Sequence, residues 1–111
     1  MDAPDESTMR LLLMFLWSDA WLLLSLIYAR KPADSDLLRA TGDFINHAIF
    51  TDEELDGGLG RLMGAGYAVK VGRQFAPSPG VLGWYDGITA GKTRTGVQKD
   101  IERVEKFLGI T

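Results

Sequence analysis

Few residue types in this chain could do covalent or metal chemistry. There is no cysteine among the 111 residues, which excludes disulfides, cysteine-ligated zinc and thiol catalysis. The single histidine, His47, excludes a multi-histidine metal site within one chain. Gly91-Lys92-Thr93 has the ending of a phosphate-binding loop. That motif needs a glycine where Asp86 stands, a preceding strand and a surrounding α/β sheet, so the match is rejected. No nucleophile–base pair, metal spacing or paired carboxylate falls on a plausible cleft, and neither an enzyme nor a metal or cofactor is expected. His47, beside Asn46 at a helix end, is expected to cap carbonyls or pack at a turn. Trp17, Trp21, Trp84 and Tyr85 could line a ligand pocket, but packing is the commoner use of aromatics in a small domain.

The remaining chemistry is surface charge. The net charge is −3, which gives no bulk drive toward polyanions. Residues 1–69 hold five basic and eleven acidic side chains, and residues 70–111 hold seven basic and four acidic. A polyanion would therefore meet the later part first. Lys70 and Arg73 are candidate phosphate contacts, or solvated charges that protect a strand edge. Arg61 is a further candidate polyanion contact, or a partner for Glu54 or Asp56 on its own helix.

The elements that must position these residues begin with an oily segment. Residues 1–8 are acidic and contain Pro4, the wrong sign for a secretory signal, and are expected to form a disordered tail. From Met9 to Ala29 nearly every residue is apolar. As a helix this run would span roughly 31 Å, the thickness of a bilayer core. Asp19 would cost about 3 kcal/mol on insertion, which the Leu, Ile and Phe residues could offset. Ser18-Asp19 would nevertheless be an unpaired polar step in the membrane, and the amphipathic helices that follow need a central helix to pack on. A cytoplasmic chain with no membrane span is expected. A helix apolar on all sides must be covered on all sides, and that predicts a second copy of the chain against it.

Arg30-Lys31-Pro32 ends this first helix. Asp34 or Ser35 can cap a second, running to about Asn46-His47, with Leu37, Leu38, Phe44, Ile45 and Thr41 on one face and Gly42 weakening its middle. Thr51-Asp-Glu-Glu54 fits a capping box, and Phe50 and Leu55 fit a hydrophobic staple. The third helix thus starts at Asp52, with Leu55, Leu59, Leu62 and Met63 as its stripe, and ends at Gly64-Ala65-Gly66. The period then switches to two over Tyr67–Val71, Gly72-Arg73 turns, and Gln74-Phe75-Ala76 returns. Pro77 predicts that the returning strand is short and lies at an edge. Ser78 and Pro79 start another helical turn carrying Val81, Leu82, Trp84 and Tyr85. Residues 87–96 read as a loop. Val97, Ile101, Val104 and Leu108 then form a narrow apolar seam on a charged helix.

The order of three helices, a β-hairpin and a C-terminal helix is mainly α, of α+β class, and is similar to the winged helix-turn-helix plan. The likeness rests on Glu54-Leu55, on Leu59-Gly60-Arg61-Leu62-Met63-Gly64-Ala65-Gly66-Tyr67 and on Phe75-Ala76-Pro77-Ser78-Pro79-Gly80. Over residues 35–80 the pattern resembles bacterial regulators of the MarR and PadR type.

The resemblance implies a homodimer on duplex DNA, with the third helix, Asp52–Ala65, in the major groove and a wing over Lys70–Gln74. A winged-helix domain over 9–86 would be followed by a loop and dimerising helix over 87–111. Arg61, Lys70, Arg73 and Gln74 would face DNA, and Trp17, Trp21, Val97, Ile101, Val104 and Leu108 would face the second copy. The third helix departs from the pattern. Its first turns present Asp52, Glu53, Glu54 and Asp56, then Gly57, Gly60 and Gly64, where phosphates call for cations. The alternative expectation is a winged-helix module that does not bind DNA and meets another protein through this acidic helix.

Overall fold

The computed structural model describes residues 14–92 and 96–110. In order along these residues come α1 (Trp17–Ala29), α2 (Ser35–Asn46), α3 (Asp52–Gly64), β1 (Ala68–Val71), β2 (Gln74–Pro77), α4 (Pro79–Thr89) and α5 (Val97–Leu108). The architecture is mainly helical with one small antiparallel sheet, an α+β fold. The acidic tail expected over 1–8 lies outside the described residues.

α1 is the central rod, and it starts later than the apolar run suggests. The Leu16 amide donates to Asp19 Oδ2 at 2.8 Å, so Asp19 closes the first turn rather than interrupting a long span. Among the described residues no helix is long and apolar enough to cross a membrane. Every residue from Asp19 to Ile27 is buried, and α2, α3, α5 and β2 pack around them. Each fully buried leucine here contributes about 2 kcal/mol through the water its surface sheds.

This arrangement corrects the reason for expecting a second copy. The rod is sheathed within one chain because the apolar seam of α5 closes its remaining side. Trp21, Ile101, Val104 and Leu108, expected at a dimer interface, are all in the chain's own core.

Asp34 caps α2, its Oδ1 accepting from the Leu37 amide at 2.9 Å. Gly42, which local propensity penalises, is required by packing. The Trp21 ring stacks on Phe50 with centroids 3.7 Å apart, and Trp21 Nε1 donates to the Gly42 carbonyl at 2.9 Å. A Cβ on Gly42 would stand 2.4 Å from Phe50 Cε2. Phe50 thus occupies the space beside the helix, and Phe44, expected on the buried face, is 68% exposed. The helix ends at His47, in the left-handed region at φ 54°, whose amide donates to Asp43 O at 2.7 Å.

The capping box forms at α3. Thr51 Oγ1 accepts from the Glu54 amide at 3.1 Å and Glu54 Oε1 from the Thr51 amide at 2.9 Å. Phe50 and Leu55 are both buried beside it, as a staple requires. Met63 falls off the stripe and is partly exposed.

The hairpin pairs Ala68 with Pro77 through to Val71 with Gln74, and Gly72 takes a positive φ of 64° in the turn. β2 is short and forms one edge of the two-stranded sheet, as Pro77 suggested, with a single isolated bridge on its open side. Ala33, between α1 and α2, exchanges two backbone hydrogen bonds of 2.8 Å with Phe75, so β2 lies between this residue and β1. Pro77 is tolerated because it is the last residue of the strand. α4 runs on to Thr89, through part of the segment expected to be loop, and the Thr89 hydroxyl donates to Tyr85 O at 2.8 Å.

Candidate interaction surfaces

Arg61, the cation of α3, is paired across to a buried carboxylate of α1. Its Nε donates to Asp19 Oδ2 at 2.7 Å and its Nη2 to Asp19 Oδ1 at 2.9 Å. The Asp19 side chain is wholly buried, and that of Arg61 keeps 28% of its surface. The hydrogen bonds to Asp19 hold the guanidinium pKa above even its usual range, against the opposing pull of burial. α3 can come this close to α1 because residue 58 is glycine: a Cβ there would meet Leu22 Cδ2 at 2.7 Å and Asp19 Oδ1 at 2.9 Å.

The exposed face of α3 therefore carries Asp52, Glu53 and Asp56, then Gly60, Met63 and Gly64. Arg39, on α2, donates through Nη2 to Asp52 Oδ1 and through Nε to the Phe50 carbonyl at 3.3 Å. Glu54 is spent on its cap. Glu53 and Asp56 remain as carboxylates facing solvent.

Lys70, Arg73 and Gln74 are brought together on the hairpin, all exposed. None of the three makes a side-chain hydrogen bond or ion pair among the described residues. Arg61 is not part of this group. Val69 and Val71 alternate with Lys70 on the outer strand and are also largely exposed.

Of the residues expected between copies, Trp17 is 42% exposed and Val97 half-buried. The Trp17 indole is already engaged, Nε1 donating to Glu105 Oε1 at 2.7 Å across to α5.

The buried carboxylate of Asp100 has no motif or spacing that singles it out in the sequence. Tyr28 and Tyr85 donate their hydroxyls to its Oδ2 at 2.6 and 2.8 Å, and Arg103 Nη1 donates to Oδ1 at 2.8 Å. Burial, then the hydrogen bond to Asp100, push the Tyr28 hydroxyl far above its usual pKa. These groups tie α1, α4 and α5 together. The available signal was indirect: aspartate on the first turn of a helix whose other face is apolar must find donors when it is buried. The same logic applies to Asp19, a lone acid in an oily run.

No group of acids and histidines that could hold a metal occurs among the described residues. No protein-family model matches the chain, and no curated protein or solved structure matches it.

Proposed function

We propose that the chain is a winged helix-turn-helix domain, on the plan of the MarR and PadR regulators, that works as a protein-interaction module. Its contact surface is the exposed face of α3, and its partner is basic there. The element order supports the winged plan, as does the Ala33–Phe75 bridge, which joins the segment before α2 to the hairpin. The observation that carries the functional reading is the Arg61–Asp19 pair. It engages the cation of α3 with a buried carboxylate and leaves Glu53 and Asp56 where a recognition helix would approach phosphates.

The second reading is a regulator that binds duplex DNA as a homodimer. Exposed Lys70, Arg73 and Gln74 on the hairpin favour it, since a wing carrying two free cations suits phosphate contact. Titration into mixed-sequence duplex DNA at low and moderate salt separates the two. The interaction module shows no binding even at low salt. Binding that weakens with salt and is reduced by Arg73→Ala overturns it in favour of the regulator.

A further inference from the structure

The helix α5 has two faces of different chemistry. Val97, Ile101, Val104 and Leu108 turn toward α1. Lys99, Arg103 and Lys106 recur at i, i+4 and i+7, which places them in one stripe on the opposite side. Beside this stripe, Trp84 and Ile88 of α4 and Phe107 of α5 line a cleft of about 290 Å³, together with Arg103 and Lys106. The Trp84 and Phe107 rings lie 4.4 Å apart. The cleft's lining contains apolar groups and cations and no carboxylate. Glu102, which borders the adjoining cleft with Lys99 and Lys106, accepts from Gln98 Nε2 at 3.1 Å. Arg103 uses an Nη1 hydrogen on Asp100, and that bond fixes its guanidinium at the cleft while other donors of its fork remain.

We infer that this α4–α5 surface is a docking site for an acidic peptide segment that lays one apolar side chain against Trp84, Ile88 and Phe107. Two physical considerations select that occupant. The cleft is shallow and open, whereas a small-molecule site encloses most of its ligand; a peptide needs only one anchor in a pocket and a rim of matching charge. Three cations and one carboxylate, Glu102, line the rim, so acids flanking the anchor meet a cationic excess at Lys99, Arg103 and Lys106. The site is separate from the exposed face of α3 and of opposite charge, and it stands whatever α3 meets.

An amide-resolved NMR titration of the full chain tests this. The probes are a synthetic peptide of glutamates and aspartates around one central leucine, the same peptide with the leucine replaced by serine, and the same peptide with its acids replaced by glutamines. The acidic leucine peptide is expected to give saturable shifts at the Trp84 indole N–H, identified by its loss in Trp84→Phe, and at the Lys106 and Phe107 amides. The serine peptide should bind about tenfold more weakly, and the glutamine peptide should give no saturable shift. Lys106→Glu, an exposed change whose fold the same spectra verify, should weaken the acidic peptide at least as much, and Lys99→Glu is the second variant. Absence of saturable shifts at Trp84 with millimolar peptide overturns the proposal. So does equal binding of the acidic and glutamine peptides, or saturation confined to another face.

Discussion

Arg61 on α3 reaches across to Asp19 on α1 and places two N–H donors on its two carboxylate oxygens, at 2.7 and 2.9 Å. Asp19 Oδ2 also accepts from the Leu16 amide. One buried carboxylate therefore starts the central helix and anchors α3 to it. The pair also engages the cation of α3, whose side chain keeps 28% of its surface.

The two ends of this pair should respond unequally. Arg61→Ala leaves the wholly buried Asp19 without its counter-charge, and about 3 kcal/mol of stability should be lost. Asp19→Asn removes the charge but keeps an oxygen for the Leu16 amide, and Arg61 can turn its head to water, so about 2 kcal/mol is expected. Urea unfolding curves of the two variants check the order. Equal losses below about 0.5 kcal/mol would mean that the bridge is ornamental, as exposed ion pairs usually are.

Three glycines in helices make a sharper test, because propensity and packing predict opposite signs. Gly60 and Gly64 have open space where a Cβ would go, so Ala at either should stabilise by up to about 1 kcal/mol. Gly42→Ala gains the same propensity term but drives a methyl into the Phe50 ring beneath Trp21. A net loss of about 1–2 kcal/mol is expected there. Thermal unfolding of the three variants reads the sign directly.

Tyr28 should make the fold sensitive to alkali. Burial and the hydrogen bond to Asp100 raise its hydroxyl pKa above the ordinary value, which is roughly 10. The folded chain then keeps a proton that the unfolded chain has released. This contribution is fully present below about pH 10 and drains away as the pH climbs past that value toward the raised pKa. Tyr28→Phe should cost about 1 kcal/mol at neutral pH, and the gap to the parent chain should narrow above about pH 10. Unfolding free energies measured on both sides of that pH provide the check.

Val104 is buried completely in the α1–α5 contact. Val104→Ser should destabilise by about 2–3 kcal/mol through lost apolar burial and a hydroxyl in the core. The sedimentation mass of the folded fraction should not change. A shift of that mass would show that the α5 seam joins copies of the chain instead of closing its own core.

Much of this architecture was readable from residues within a few positions of one another. The capping box at Thr51 and Glu54, the Asp34 and Ser78 caps, the Gly72 turn and the seam of α5 all act over one turn or one hairpin, and a linear sequence displays such neighbours directly. What the sequence could not display were partners far apart in the chain. Arg61 and Asp19 are separated by 42 positions, and Tyr28 and Asp100 by 72. The choice of Arg61's partner, the demand for glycine at 42 and 58, and the closing of α1 by α5 were settled only when the helices packed. Each depends on which atoms fill the last few ångströms between elements, and close packing decides that for the whole core at once.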